Sequence, residues 1–206
     1  MLRQLRPAVV LLVLLSALTG LVYPLAITGV AQAIMPQRAN GSLVGKAGAP
    51  VGSLLIGQNF ASDRYFHGRP SATQTQDPAH PDDSSKTIDA PYNADNSTGS
   101  NLGPTSQKLV DRVKADVEAK RAAGWATPIP ADAVTTSASG LDPEISPATA
   151  FAQAPAVAKA RGLPEEKVRA LVAAHVKRPA LGLFGEPRVN VLRLNLALDA
   201  LAQAGS

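Results

Sequence analysis

Residues 7–37 read Pro7-Ala8-Val9-Val10-Leu11-Leu12-Val13-Leu14-Leu15-Ser16-Ala17-Leu18-Thr19-Gly20-Leu21-Val22-Tyr23-Pro24-Leu25-Ala26-Ile27-Thr28-Gly29-Val30-Ala31-Gln32-Ala33-Ile34-Met35-Pro36-Gln37, without a single Asp, Glu, Lys or Arg. As a helix, residues 8–30 reach roughly 35 Å, enough to cross a bilayer core of about 30 Å. Pro7 suits a first-turn position, where its missing N–H costs nothing. Pro24 is expected to kink the helix or mark its far end, and Tyr23 suits an interfacial anchor. Ala31-Gln32-Ala33 also reads as a leader cleavage site, but the apolar run far exceeds a leader core of about 7–15 residues. An uncleaved membrane anchor is therefore expected.

Working outward, Arg3 and Arg6 precede the span, whereas Arg38 and Lys46 follow it. The short basic tail favours a cytoplasmic N-terminus, because long following domains cross largely regardless of their charge. The expected organisation is a cytoplasmic tail over residues 1–6, a transmembrane helix over 7–35 and an extracytoplasmic (periplasmic) domain over 36–206.

The whole chain of 206 residues carries 20 Lys and Arg against 16 Asp and Glu. Residues 1–36 hold only Arg3 and Arg6, so the remainder carries 18 basic and 16 acidic groups, or +2. So small a balance, without Lys/Arg blocks, argues against nucleic acid as a partner. The absence of cysteine excludes disulfides, thiol catalysis and Cys-ligated metals.

Within residues 36–206, Leu43-Val44 and Leu54-Leu55-Ile56 suggest two short strands joined by a turn around Ala47-Gly48-Ala49-Pro50. Residues 71–105 contain few large apolar groups and four prolines, and read as one long loop. Residues 105–123 read as a helix stopped by Gly124, and residues 134–136 as a short strand. Ser146-Pro147 opens a helix toward Gly162, which Pro155 is expected to split. A third helix starts near Pro164-Glu165-Glu166, with Val168, Leu171, Val172, His175 and Val176 as its apolar stripe. Residues 188–203 fit a strand at Arg188-Val189 followed by a helix. The fold class is therefore α+β: one N-terminal transmembrane helix, then a mixed domain of helices and short strands.

The densest candidate site is Gly57-Gln58-Asn59-Phe60-Ala61-Ser62-Asp63-Arg64-Tyr65-Phe66-His67-Gly68-Arg69-Pro70, with three of the chain's eight aromatics. Aromatic anchors beside forked arginines suit a recognition surface, and equally suit a strand and turn that feed the core. Ser137-Ala138-Ser139-Gly140-Leu141-Asp142-Pro143 is a second compact polar motif, readable as an Asx-type turn or as a binding edge. His67, His80 and His175 lack metal-ligand spacing, so no metal site is expected. Neither a G-x-S-x-G elbow nor a P-loop is present, so no catalytic residue is assigned.

Taken in order, Leu5-Arg6-Pro7-Ala8, Tyr23-Pro24-Leu25, Ala39-Asn40-Gly41-Ser42-Leu43, Leu55-Ile56-Gly57-Gln58-Asn59-Phe60 and Tyr65-Phe66-His67-Gly68-Arg69-Pro70-Ser71-Ala72-Thr73 resemble the C subunit of the bacterial Kdp potassium-transporting P-type ATPase. The resemblance continues through Gly99-Ser100-Asn101-Leu102, Thr136-Ser137-Ala138-Ser139-Gly140-Leu141-Asp142, Val157-Ala158-Lys159-Ala160-Arg161, Val189-Asn190-Val191 and Leu194-Asn195-Leu196-Ala197-Leu198-Asp199. It weakens around residues 74–95 and 124–133.

This resemblance implies a non-catalytic accessory subunit of a potassium uptake pump in the bacterial inner membrane. It implies three partners besides the lipid bilayer: a channel-like subunit that carries potassium, a P-type subunit that hydrolyses ATP, and a very small membrane subunit. ATP and magnesium belong to the complex, potassium is the transported ion, and no cofactor of its own is expected. The family role is that of a catalytic chaperone that raises ATP affinity; a domain outside the membrane fits better as a cap over the external potassium entrance. Gln58, Asn59, Phe60, Tyr65, Phe66, His67, Arg69, Ser137, Ser139 and Asp142 are then expected to contact partner subunits or support the loops that do. A stand-alone, membrane-anchored periplasmic binding module is the alternative.

Overall fold

The computed structural model describes residues 2–46, 49–179 and 181–203. The chain divides after Ser53 into two compact units.

In the first unit, α1 (Leu2–Ala17), a π-helical turn (Leu18–Val22) and α2 (Tyr23–Ile34) form one rod. The 32 residues from Arg3 to Ile34, none buried within the chain, extend about 48 Å, longer than a hydrocarbon core of about 30 Å. Two sequence expectations need correction. Pro7 lies inside α1 rather than in its first turn, because the helix already begins at Leu2. Pro24 neither ends the helix nor breaks it, since α2 runs on to Ile34. A proline ring collides with the carbonyl four residues back. The π-helical turn widens the backbone just before Pro24, and the Tyr23 N–H reaches the Leu18 carbonyl instead. Thr19 Oγ1 donates to the Leu15 carbonyl at 2.8 Å, a local side-chain bond within the helix.

The rod stops at Met35 (φ −142°), since the residue before Pro36 disfavours helical backbone. The short α3 (Pro36–Ala39) follows, and the Gln32 and Asn40 amides pair at 3.0 and 3.2 Å. Strands β1 (Leu43–Lys46) and β2 (Ala49–Ser53) then pair antiparallel with a bulge between Val44 and Gly45. The second strand therefore precedes Leu54-Leu55-Ile56; that run lies in a turn. Ala47 and Gly48 of the expected turn lie outside the described residues.

The second unit holds its core between three helices. α5 (Pro147–Arg161) is capped by Ser146, whose Oγ accepts the Thr149 N–H at 3.0 Å, and it ends at Gly162 with φ +66°. Pro155 does not split it. Its side chain is exposed while Ala154, Val157 and Ala158 are buried, so the bond lost at the Phe151 carbonyl faces the solvated side. Ala150, Ala154 and Ala158, four residues apart, present a shallow face to α6 (Glu165–His175), where Val168 and Val172 are fully buried. β5 (Glu144–Ile145) pairs antiparallel with β6 (Val189–Asn190), which leads straight into α7 (Val191–Gln203). Val191, Leu194 and Leu198 of α7 complete the core with Ile145, Val189 and Phe66. The helical periodicity of residues 191–201 therefore wins over their alternation, as the alanines favour.

The outlying α4 (Gln107–Ala122) matches the periodicity, but no side chain on it is fully buried. Residues 134–136 are not a strand: a 3₁₀ turn at Ala131–Ala133 leads into bends there, with Val134 buried. Residues 71–105 are not one open loop either. β3 (Gln74–Gln76) and β4 (Thr87–Asp89) pair as a hairpin. Side-chain hydrogen bonds take the place of apolar burial: Thr73 Oγ1 donates to the Ala90 carbonyl at 2.6 Å, and Asn93 and Asn96 both donate to the Gln74 carbonyl at 2.9 Å.

Phe66 is fully buried yet belongs to no helix or strand, so its backbone needs partners from elsewhere. Asn195 of α7 supplies both: its Oδ1 accepts the Phe66 N–H and its Nδ2 donates to the Phe66 carbonyl, each at 2.9 Å. Gln153 of α5 does the same for His67, accepting its N–H at 2.8 Å and donating to its carbonyl at 3.1 Å. Asn195→Ala strands two buried backbone groups and is expected to cost about 2–4 kcal/mol of unfolding free energy. Denaturant titration of the full chain in detergent measures it, and a loss comparable to an exposed substitution would contradict the clamp.

Candidate functional site

The clamp fixes residues 66 and 67, and the rest of the segment 57–70 is arranged around them. On its N-terminal side, Tyr65 lies beneath the Arg161 guanidinium, 4.6 Å from the ring centroid, and its hydroxyl contacts Asp199 Oδ2 at 3.3 Å. Arg161 pairs with Asp199 at 2.8 Å and donates from Nε to the Arg64 carbonyl at 2.6 Å. Phe60 tilts against Tyr65 with ring centroids 5.5 Å apart. The C-terminal half of α7 is thus tied to the last turn of α5, with Tyr65 and Arg64 of the loop joined to the same pair.

On the C-terminal side, Arg69 joins the two motifs singled out in the sequence. Its Nη1 pairs with Asp142 Oδ2 at 3.1 Å, while Nη2 reaches the Thr136 carbonyl at 3.3 Å and Thr135 Oγ1 at 3.4 Å. Asp142 Oδ1 meanwhile accepts the Glu144 N–H at 3.0 Å and closes an Asx turn. The Gly57 N–H donates to the Leu141 carbonyl at 2.8 Å, and Ser137 N–H to the Pro70 carbonyl at 3.2 Å. Segments 57–70 and 137–142 therefore form one platform.

Tyr92 is the bolt of this platform. It adopts φ +62°, unusual for a side chain of its size, and its hydroxyl donates to the Arg69 carbonyl at 2.8 Å. A Cβ on either Gly57 or Gly68 would collide with its ring, so those two glycines form its slot. Burial, reinforced by the Asp142 carboxylate and only partly offset by Arg69, pushes the Tyr92 phenol up to about 12. It stays a neutral donor throughout the physiological range. Ser71 Oγ accepts the Tyr92 N–H at 3.1 Å and donates to the Gly140 carbonyl at 2.8 Å, anchoring the same turn.

The ten sequence-derived residues therefore separate by position. Phe66 and Ser137 are buried; Tyr65, Arg69 and Asp142 are half-buried in the networks above. His67 is clamped through its backbone, and its ring contacts the Ser62 carbonyl at 3.2 Å. Asn59 and Ser139 are exposed, with Gln58 and Phe60 partly so. Gln153, Asn195, Tyr92, Arg161 and Asp199 are the supporting residues that local motifs missed. Only the polar chemistry of these side chains hints at such work, because their partners lie 21 to 134 residues away in sequence. Among the described residues no group of three His, Asp or Glu side chains is placed to hold a metal. Chemically the platform offers hydrogen-bonding edges on a rigid base.

A family model described as K+-transporting ATPase, c chain (KdpC), matches residues 5–200. The chain is 63% identical over 202 residues to the potassium-transporting ATPase KdpC subunit of Methylobacterium nodulans, covering 98% of this chain and 99% of that protein. Its counterparts in Rhodopseudomonas palustris and Bradyrhizobium diazoefficiens are 61% and 60% identical, with the same coverage.

Arg69→Ala removes the tie between the two motifs and is expected to cost about 1–3 kcal/mol in a denaturant titration. Arg69→Lys should recover only part of that, since an ammonium cannot span Asp142 and the Thr136 carbonyl as a fork does. Tyr92 has its folded-state phenol raised above the ordinary value of 10, so its contribution is whole below pH 10 and is lost as pH rises toward 12. Stability followed across that window should fall less steeply in Tyr92→Phe than in the unaltered chain; equal slopes would show that the phenol does not titrate late.

Proposed function

The chain belongs to the KdpC family, the c chain of K+-transporting ATPase, and from that premise we propose that its second unit is an extracytoplasmic docking domain covering the external potassium entrance. It is an accessory, membrane-associated subunit of that complex, which moves potassium and consumes ATP as a whole. In this reading, the N-terminal tail lies in the cytoplasm, the rod crosses the bilayer, and residues 36–206 lie outside. The channel-like subunit is the partner beneath the platform, and the P-type and small membrane subunits complete the assembly.

The observation that carries the reading is the platform itself. Asn59 and Ser139 stand exposed on two segments that Arg69, Asp142 and Tyr92 hold rigid, so docking groups are presented at little ordering cost. A surface above an ion entrance also has to stay hydrated, which suits amide and hydroxyl groups better than apolar ones. Phe66, Arg69, Ser137 and Asp142 then support the loops, while Gln58, Asn59, Phe60 and Ser139 meet the partner. Raising the ATP affinity of the P-type subunit by direct contact with nucleotide requires this same domain on the cytoplasmic face. Topology therefore separates the two roles.

The chain has no cysteine, which makes the test direct. Asn59→Cys or Ser139→Cys should react with a membrane-impermeant maleimide on intact cells, and should react more slowly when the channel-like subunit is co-expressed. Labelling only after the membrane is opened would put the domain in the cytoplasm and end the cap reading.

A further inference from the structure

A second exposed feature lies well apart in sequence from the platform motifs, on the arm between α6 and β6. Lys177 and Arg188 form an antiparallel bridge, with N–H to carbonyl distances of 2.8 and 3.0 Å in the two directions. Arg188 is braced in turn by Glu144 at 2.7 Å. Beyond this stem the chain makes a tight tip. The Gly182 N–H donates to the Pro179 carbonyl at 3.1 Å, and Leu181, Gly182 and Gly185 all take positive φ, at 55°, 72° and 91°. A leucine held in that region is unfavourable and needs a reason. The tip points its apolar groups at solvent: Leu181 is 92% exposed, Leu183 77% and Phe184 63%. These are three of the most water-exposed large apolar side chains outside the membrane rod, and they are clustered rather than scattered.

We propose that Leu181, Leu183 and Phe184 form a second, reversible membrane contact that dips into the headgroup region of an anionic lipid surface. Three features of the arm favour lipid as the occupant. The side chains are too few to supply the roughly 800 Å² per partner of a stable protein interface, yet three large apolar groups suffice for shallow interfacial insertion. The stem is cationic: Lys177 and Arg178 are exposed, and Glu186 is the one acid in residues 177–188. Such cations attract phosphate headgroups while the tip enters the acyl boundary. Finally, the chain carries its own candidate membrane span, so a lipid surface is available to it. The inference is independent of which subunit the platform meets.

The full chain carrying Phe184→Cys, labelled through that single thiol with an environment-sensitive fluorophore, is assembled with its partner subunits in phosphatidylglycerol vesicles. Nitroxide on the lipid acyl chains close to the headgroup should quench most of the emission, and the quenching should weaken in vesicles of zwitterionic lipid. Leu183→Cys gives the same reading from a neighbouring position. Emission untouched by nitroxide would overturn the proposal, whether its colour reports water or burial against another subunit. Co-purification of the labelled chain with its partners separately reports on membership of the complex.

Discussion

The backbone of Phe66 and His67 has to be hydrogen-bonded inside a core made of helices, and two side-chain amides do it. Buried peptide groups without partners cost free energy, and a segment outside helix and sheet has no ladder to satisfy them. Asn195 and Gln153 act as one rung each, reaching from α7 and α5 to opposite sides of the chain. The aromatic ring of Phe66 then packs among the buried side chains of the three helices. The position of this loop fixes that of everything attached to it, including the arginine that holds the second motif.

From that constraint the unit acquires a graded construction. Its base is apolar and close-packed, with alanines on α5 letting the valines of α6 approach. Its top is a set of turns with almost no large apolar residues, ordered by hydroxyls and amides that bind backbone groups within and between turns. Such a layer is rigid without being hydrophobic.

The apolar N-terminal rod follows the same rule. Pro24 is admitted by a π-helical turn rather than by a break. At the apolar tip, Leu181, Leu183 and Phe184 face outward as the side chains along the rod do.

What the sequence determined by itself is whatever rests on short-range physics. A charge-free run long enough to span lipid, the Ser146-Pro147 start and Gly162 stop of α5, and the alanine-rich helix after β6 all follow from local propensity and periodicity, and the ordered motifs carried the family. The polar density at residues 57–70 and 137–142 marks two segments that the fold brings together. Tertiary structure alone decided that Arg69 and Asp142 face each other, that Tyr92 bolts them together, and that Asn195 and Gln153 are structural clamps. Those pairings span 73, 23, 129 and 86 residues. No local pattern encodes them, because a hydrogen bond's worth depends on the burial of its partners, and burial is set only when the helices have packed. The hairpin at residues 74–89 escaped for the related reason that its order comes from side-chain bonds to distant carbonyls rather than from an apolar stripe.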